Sequence, residues 1–275
     1  MTPLDQNAIF EASSRARVIG STGEIHDVVE STMDVARERG TAAAGDGYVV
    51  LAEQQRSGRG RDGRWECPSG KGLLMSIVLR LGLRRSERML LGFMGAVAAA
   101  ETFQSFGTNA SVKWPNDIVV TAPAKELRLR KLGGVLVEQF SRGDAAPGHL
   151  LGLGLNLNQT QDELPECSNI PATSLMLERH GEPVDRDRFC RQLLNHLDEW
   201  YGRLRLGRSG HLLARWRSLS CLPGKRIRAR VRDQIITGTV TGLRATGELL
   251  LREDNGRTRV LKAEHTTLLL NHTRR

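Results

Sequence analysis

The chain has 275 residues, of which 39% are apolar and 4% aromatic, and its formal net charge is +9. This length suits one large domain and one small one, and the apolar content suits a soluble globular protein. No run reaches the roughly eighteen apolar residues of a membrane span, and the N-terminus lacks a basic start followed by an apolar core. We therefore expect a cytoplasmic protein without a membrane segment or a secretory signal.

The basic residues are mostly arginine, because only six of the 40 are lysine. The positive excess allows an acidic partner such as nucleic acid, but the aromatic residues that would stack on bases are few. The cysteines are scattered, without a CxxC pair or histidines at metal spacing: Cys67, Cys167, Cys190 and Cys221. We therefore expect neither disulfides nor structural zinc.

The first predicted elements alternate between helix and strand. An opening helix over residues 5–20 and a short strand over 25–31 precede a helix over 31–40, which Ser31 would cap and Gly40 would end. A buried strand over 48–55 runs into a basic loop, and a second apolar strand leaves that loop at residue 73. Residues 86–106 predict a long helix that is apolar nearly all round and must be buried on several sides.

The second half of this region predicts more strands and an amphipathic helix. Apolar runs indicate strands over 111–120, 130–140 and 148–159, with the tip and return of a hairpin over 121–130. Residues 184–207 carry apolar side chains at helical spacing: Phe189, Leu193, Leu197, Trp200, Tyr201 and Leu204. Strands that alternate with helices and pair partly antiparallel indicate an α+β domain with a mixed sheet flanked by helices.

The composition changes near Leu222 and Pro223. Residues 225–270 contain no aromatic residue and predict short strands over 226–231, 235–243, 247–252 and 258–263, separated by turns. This pattern is typical of a small β-barrel or sheet. We expect a first domain over residues 1–221, with an N-terminal helical extension over 1–23, and a second over 222–275.

The stretch "SGRGRDGRWECPSGKG", residues 57–72, is the first chemical signal. Its glycines let backbone N–H groups approach an anion, and its arginines offer fork-shaped donors. The spacing of a Walker A loop is absent, and the G-x-G-x-x-G within it leads into a strand rather than a helix, so neither nucleotide fingerprint applies. A basic surface loop without a ligand remains the alternative.

The stretch "KWPND", residues 113–117, is the second signal. Trp114 precedes a proline and is expected to be extended, which would place Lys113 and Asp117 on the same side of one extended segment. The next strand offers another isolated lysine, Lys131, one residue before the pair Gly133 and Gly134. Glycines inside a strong strand suggest that something approaches the backbone closely.

The stretch "GLGLNLN", residues 152–158, repeats this feature. Gly152 and Gly154 alternate with leucines up to Asn156, which leaves one face of the strand bare of side chains. A flat ligand could lie on that face, and tight packing of a helix on the sheet is the alternative.

Together these segments resemble the biotin–protein ligase family. The matching stretches occur in the family order, namely "EST" (30–32), "AEQQRSGRGRDGRW" (52–65), "KWPND" (113–117), "KLGGVLVE" (131–138), "GLGLNLN" (152–158) and "ATSL" (172–175). The resemblance implies an α+β catalytic domain with an SH3-like C-terminal barrel. It also implies an enzyme that makes biotinyl-5′-AMP from biotin and ATP and passes biotin to a lysine of a biotin carboxyl carrier domain of acetyl-CoA carboxylase.

The resemblance implies three overlapping sets of site residues. The catalytic set is Lys131, Arg61, Lys113 and Asp117. The biotin-binding set is Ser31, Thr32, Met33, Gln55, Arg59, Gly60, Arg61, Lys131, Gly133 and Gly134. The ATP-binding set is Arg59, Arg61, Trp65, Lys113, Asn116, Lys131 and Asn156. No protein metal site is implied, and Mg²⁺ is expected on the ATP phosphates.

Two departures from the family pattern bear on these roles. Met33 stands where the family often has asparagine, so one polar contact to biotin is lost or moved. The extra segment "TAPAKELRLR" precedes Lys131, which leaves Lys125 as an alternative counterpart. About twenty residues precede the matching region, so we expect a form without an N-terminal DNA-binding domain that does not bind DNA. We also expect a monomer or weak homodimer that does not bind a membrane.

Other functions remain open from the sequence. A lipoate or octanoate ligase shares the acyl-adenylate chemistry, a basic RNA-binding protein would use the small domain, and a non-catalytic biotin sensor would lose Lys131 or Arg61. The strand "KRIRARVR" places four arginines on one face: Arg226, Arg228, Arg230 and Arg232. This face is either solvated or meets an acidic carrier domain or the ATP phosphates.

Overall fold

The computed structural model describes residues 2–11, 17–61, 63–84, 87–121, 128–141, 147–165 and 170–269. Seven strands form the first sheet: β1 Gly23–Val29, β2 Val49–Gln55, β5 Gly72–Leu79, β6 Ala110–Lys113, β7 Asp117–Thr121, β8 Leu129–Phe140 and β9 Gly148–Asn156. Their order is β1-β2-β5-β9-β8-β7-β6, with β1 parallel to β2 and every other pair antiparallel. The predicted mixed sheet is therefore confirmed.

Helices cover both faces of this sheet. They are α1 Thr32–Thr41, α2 Met89–Ser105, α3 Leu175–Glu178, α4 Arg186–Arg205 and α5 Ser209–Leu219. The short helix α1 packs on β2, β5 and β9, whereas α2 packs on the opposite face and is itself covered by α4 and α5. Because it is enclosed on all sides, α2 can be apolar nearly all round, as its sequence predicted.

The C-terminal strands form a separate antiparallel sheet. They are β10 Arg226–Val231, β11 Gln234–Leu243, β12 Leu249–Glu253, β13 Thr258–Leu261 and β14 Thr266–Leu269, in the order β13-β12-β11-β10-β14. The two outer strands, β13 and β14, do not pair with each other within the described residues, so hydrogen bonds do not close this sheet into a barrel. Its apolar residues join the main core, among them Ile227, Ala229 and Leu251.

The loop between β2 and β5 contains a small two-stranded ribbon. Its strands are β3 Arg59–Gly60 and β4 Gly63–Arg64, which pair antiparallel. The Trp65 amide donates to the Gly58 carbonyl at 2.9 Å and closes the base of the ribbon. We call residues 57–66 the flap.

The predicted opening helix is wrong at its C-terminal end, residues 17–20. A single π-helical turn spans Asn7–Glu11, residues 12–16 lie outside the described part of the chain, and residues 17–20 are not helical. The amides of Val18 and Ile19 instead donate to one carboxylate oxygen of Asp198 on α4, at 2.8 and 2.9 Å. This long-range contact holds the segment in a turn that local propensity does not favour.

Two further differences concern the connections. The segment "KWPND" is not extended: Trp114–Asn116 form the turn of a hairpin between β6 and β7, with a cis Trp114–Pro115 bond. The predicted hairpin tip falls mostly on residues 122–127, outside the described residues, as does the alternative lysine Lys125. None of the described helices is long and apolar enough to cross a membrane.

A stability test follows from Gly47, where the turn after α1 meets the N-terminal segment. Its φ is +83°, and a Cβ there would lie 2.1 Å from the Val18 carbonyl oxygen. We expect Gly47→Ala to lower the free energy of unfolding by about 2 kcal/mol or more, because it adds a backbone clash to an unfavourable φ. The matched control is Gly45→Ala, since a Cβ at Gly45 meets nothing within 4 Å. Equal shifts of the two urea midpoints would contradict this account.

Candidate active site

A cavity of about 340 Å³ lies between the first turn of α1, the bare face of the first sheet and the flap. Most of the predicted site residues line it: Ser31, Thr32, Met33, Gln55, Arg59, Gly60, Arg61, Trp65, Asn116, Asp117, Lys131, Gly134 and Asn156. The volume is within the usual range for small-molecule sites. Two predicted residues, Lys113 and Gly133, do not line the cavity.

One end of the cavity is a compact polar network. The Gln55 amide oxygen accepts hydrogen bonds from the Thr32 backbone N–H at 2.8 Å and from its hydroxyl at 3.0 Å. The Thr32 hydroxyl also lies 2.8 Å from the Ser76 hydroxyl. Ser31 caps α1 by accepting from the Met33 amide, as its sequence position predicted. Hydroxyl and amide groups of this kind suit a small ring that carries both donors and acceptors.

Ser76 is a site residue that the sequence interpretation missed. It is completely buried in β5, lines the cavity and contacts Thr32. The available signal was a single hydroxyl in the otherwise apolar run "LLMSIVL". A buried polar side chain needs a partner, so an isolated serine in such a strand marks a face that is not simply core.

Met33 makes the wall beside this network apolar. Its side chain is 4% exposed and packs with Ala36, Val50 and Leu150. Its sulfur lies 2.7 Å from the position that a Cβ on Gly152 would take, so the glycine is needed for this close approach. The departure from asparagine therefore replaces a polar side chain with apolar packing on β9.

The bare glycine face predicted for β9 is present, and the Trp65 indole lies against it. A Cβ on Gly154 would be 2.4 Å from Trp65 Cε2 and 2.5 Å from Nε1. The Lys131 ammonium lies 5.8 Å from the centre of the Trp65 ring system. The indole N–H is buried without a hydrogen-bond partner among the described residues. This face therefore accepts a flat aromatic group.

The other end of the cavity holds a carboxylate between two lysines. Asp117 Oδ2 accepts from Lys113 Nζ at 2.8 Å, and Asp117 Oδ1 lies 2.6 Å from Lys131 Nζ. Lys113 and Asp117 face each other across the β6–β7 hairpin. The sequence predicted that these two residues lie close together. A hairpin brings them together, not one extended segment as predicted.

The pKa of Asp117 lies below its ordinary value. Burial opposes ionisation, but the charges and hydrogen bonds of Lys113 and Lys131 outweigh that effect. A lowered carboxyl pKa contributes stability above the pKa of the unfolded chain, roughly 4, and this contribution is lost as the pH falls through the folded value. Asp117 is therefore ionised throughout the neutral range.

A β-bulge directs Lys131 into the cavity. Opposite β7, the register passes from Ile118↔Gly133 to Val119↔Lys131, so Leu132 is the extra residue. Leu132 and the next residue, Gly133, both face the core, so Lys131 and Gly134 lie on the cavity face although they are three positions apart. Gly133 instead packs against Leu155, where a Cβ would be 2.6 Å from Cδ2. This orientation does not support the biotin contact predicted for Gly133.

Two of the three arginines of the flap, Arg59 and Arg61, are held by distant protein groups. Arg59 donates to both oxygens of Asp34, at 2.8 and 2.9 Å, and its Nε lies 3.3 Å from a Glu138 oxygen. The hydrogen bond from Arg59 lowers the pKa of Asp34 despite partial burial. Arg61 donates to the carbonyl oxygens of Ala263 and Thr266, at 2.5 and 2.6 Å. The flap therefore contacts both the first sheet and the C-terminal sheet.

The two predicted asparagines make backbone contacts at the cavity wall. The Asn116 amide donates to the Val135 carbonyl at 2.8 Å. The Asn156 amide donates to the Thr173 carbonyl at 3.0 Å and accepts from Gln159 at 3.1 Å. These bonds fix the two side chains at the rim of the site.

The cysteines contribute no reactive group to this site in the part of the chain that the structure describes. Cys67 is buried, which raises the pKa of its thiol to about 11, and its sulfur accepts from Gln159. Burial also raises the pKa of Cys190 and Cys221, and Cys167 lies outside the described residues. No cluster of three or more His, Cys, Asp or Glu side chains suited to a metal ion occurs in the described ranges.

Comparisons with curated relatives agree with the resemblance found in the sequence. The chain is 29% identical over 252 residues to the bifunctional ligase/repressor BirA of Bacillus subtilis, an alignment that covers 91% of this chain and 75% of that protein. It is 28% identical over 275 residues to the biotin–[acetyl-CoA-carboxylase] ligase of Mycobacterium tuberculosis, covering 95% and 94% of the two chains.

The fold has solved counterparts. A biotin protein ligase from Aquifex aeolicus, solved in complex with biotin and ATP, superposes with a TM-score of 0.75 at 24% identity and covers 91% of this chain and 99% of its own. At this identity the likeness concerns the fold, and it confirms the predicted α+β architecture with a second, C-terminal β-domain.

Two family models match this chain in succession. Residues 25–156, which include the first sheet except the first two residues of β1 and most of the cavity lining, match the biotin/lipoate A/B protein ligase family. Residues 224–264, which include most of the second sheet, match the biotin protein ligase C-terminal domain. The chain therefore contains a domain of the biotin/lipoate A/B protein ligase family, followed by a biotin protein ligase C-terminal domain.

Proposed function

We propose that this protein is a biotin–protein ligase, which activates biotin with ATP as biotinyl-5′-AMP and transfers biotin to a lysine of a biotin carboxyl carrier domain. The observation that carries the proposal is the layout of one cavity. A polar network around Thr32 lies at one end, a glycine face covered by the Trp65 indole lies in the middle, and the lysine pair around Asp117 lies at the other end. The relatives named as biotin ligases support the same activity.

The first step joins two anions, so it needs positive charge. The biotin carboxylate attacks the α-phosphorus of ATP, and pyrophosphate leaves with the electron pair of the broken P–O bond. Lys131 and Arg61 line the cavity, where their positive charges offset the repulsion between carboxylate and phosphate, whereas the charge of Arg59 is balanced by Asp34 and Glu138. Mg²⁺ would enter with the ATP phosphates and share that charge.

The second step brings a lysine amine of the acceptor to the acyl carbon of the adenylate, and AMP leaves. A free lysine is neutral in only roughly one molecule in two thousand at pH 7. Asp117 is ionised and has both oxygens engaged by lysines, so it is suited to holding Lys131 beside the adenylate, and the proton that the acceptor amine loses passes to solvent. The flap, closed over the adenylate, would exclude water from the mixed anhydride.

The C-terminal sheet offers a basic face toward an acceptor. Along β10, Arg226, Arg228 and Arg230 are exposed, while Ile227 and Ala229 between them are buried. Arg226 pairs with Asp254 on the same surface. We propose that this face, within a C-terminal domain over residues 222–275, steers an acidic carrier domain of acetyl-CoA carboxylase toward the catalytic domain, residues 1–221.

The central test is biotin-dependent exchange of labelled pyrophosphate into ATP. It measures the first step alone and needs no knowledge of the acceptor. We expect exchange with biotin that is much faster than with lipoate or octanoate at the same concentration. Faster exchange with lipoate would make the protein a lipoate ligase, and strong salt-sensitive RNA binding without any exchange would revive the RNA-binding alternative.

The role of Lys131 gives a second test. We expect Lys131→Met to slow pyrophosphate exchange about 10²- to 10³-fold, because the substitution removes a cation placed at the reacting phosphate. Lys113 still pairs with Asp117 in this variant, so the buried carboxylate keeps one partner. The matched control is Lys225→Met, an exposed lysine outside the cavity, which should retain its rate. Similar rates for the two variants would exclude Lys131 from the chemistry.

The basic face gives a third test, which concerns only the transfer step. We expect Arg228→Glu combined with Arg230→Glu to slow biotin transfer to a carrier domain at low salt and to weaken its salt dependence, with pyrophosphate exchange unchanged. Arg205→Glu combined with Arg208→Glu changes the net charge equally at exposed positions near the end of α4 and serves as the control. An unchanged transfer rate at low salt would reject this docking face.

A further inference from the structure

Lys113 lies outside the cavity wall, so it is not placed to contact a phosphate group bound in the cavity. It lies on β6, an edge strand of the first sheet, its side chain is only about 5% exposed, and it is not part of the cavity wall. Its ammonium donates to Asp117 Oδ2 at 2.8 Å, on the side of the carboxylate opposite Lys131. A buried cation of this kind acts through its partner rather than on a ligand.

The charges of this cluster show what Lys113 changes. Asp117 and Lys131 alone would form a neutral pair, and a neutral pair attracts an anion weakly. With Lys113 on the second carboxylate oxygen, the three side chains carry a net charge of +1. Only Lys131 among the two lysines reaches the cavity, where 26% of its side chain is exposed. The net charge of the cluster is therefore presented at the Lys131 ammonium.

The other ionised groups of the cavity wall do not supply this charge. Arg59 is balanced by Asp34 and Glu138, and Arg64 lies 3.6 Å from Glu66. Arg61 keeps its charge, since its partners are neutral carbonyl groups, but it lies on the flap. Among the described residues of the first sheet, the Lys113–Asp117–Lys131 cluster is thus the source of uncompensated positive charge in the cavity wall.

We propose that Lys113 is a positioning residue: it neutralises Asp117 so that Lys131 meets an anionic ligand with an uncompensated charge. This inference rests on the proposed function, because it takes the biotin carboxylate and the α-phosphate as the anions. It also reassigns Lys113, which the sequence placed in direct contact with ATP. Asp117 in turn holds Lys131 in place without cancelling its charge.

The test compares two ligands of nearly the same shape, one anionic and one neutral. Calorimetry measures binding of biotin, whose carboxylate is anionic, and of biotin amide, which is neutral. We expect Lys113→Met to weaken biotin binding about tenfold relative to its effect on biotin amide, because the cluster falls from +1 to 0. A purely structural loss from breaking a buried ion pair would weaken both ligands alike.

The double variant separates charge from structure. Lys113→Met combined with Asp117→Asn restores a net charge of +1, now carried by Lys131 alone. We expect its preference for biotin over biotin amide to return to within about threefold of the wild-type ratio, whereas Asp117→Asn alone should preserve or raise that ratio. This rescue is a non-additive result that a structural role for Lys113 does not produce.

The outcomes are distinguishable from failure of the proposed function. Equal weakening of biotin and biotin amide by Lys113→Met, or a double variant with a ratio no better than that of Lys113→Met, would overturn this inference alone. A wild-type protein that binds neither compound would overturn the proposed function and this inference with it. Circular dichroism and thermal midpoints of the four proteins identify any variant that fails to fold, and the double variant, which leaves no buried unpaired charge, then carries the comparison.

Discussion

The candidate active site depends on one carboxylate shared by two ammonium groups. Asp117 is buried in the β6–β7 hairpin, and each of its two oxygens binds one lysine ammonium group. With one lysine alone, one oxygen would lack this partner and the net charge of the cluster would be zero. Burying a charge without partners costs free energy, and a cluster with zero net charge attracts an anionic ligand only weakly. The arrangement of two cations on one anion meets both requirements, because the carboxylate is satisfied and one positive charge remains.

The fold brings this cluster to the cavity through two local features. A tight hairpin turn sets Lys113 opposite Asp117, and a bulge in β8 rotates Lys131 toward them. The backbone of Lys131 is further held between the Pro171 carbonyl and the Thr173 amide, at 2.8 and 2.9 Å. The ammonium group that would meet the reacting phosphate is thus supported on a rigid strand rather than on a loop, which suits a group whose position determines a rate.

The flap joins this rigid floor to the second sheet. Arg59 reaches α1 and β8, whereas Arg61 reaches carbonyl groups around the short helical turn Ala263–His265. A second contact between the two parts lies nearby, where the buried Trp114 donates to the Gly247 carbonyl at 2.9 Å. The C-terminal sheet therefore takes part in shaping the cavity, although no side chain from it enters the predicted site.

The features that could be predicted from the sequence are those that depend on neighbouring residues in the chain. The Ser31 cap and the bare face at Gly152 and Gly154 follow from local residue types, and both are present. The indole that covers the glycines and the carbonyl groups that hold Arg61 could not be found this way. They are about 90 and 200 positions away in the chain, and no local pattern encodes a contact of that range. The end of the predicted opening helix is wrong for the same reason, because a distant carboxylate on α4 binds the backbone of Val18 and Ile19.

The position of Trp65 has a spectroscopic consequence. The chain has four tryptophans, and Trp114, Trp200 and Trp216 are between 0 and 5% exposed in the core, away from the cavity wall. Trp65 alone among them lies in that wall, on the glycine face and close to an ammonium group. The intrinsic tryptophan fluorescence of the unlabelled protein therefore reports on ligand binding, because Trp65 is the tryptophan that a molecule entering the cavity can contact.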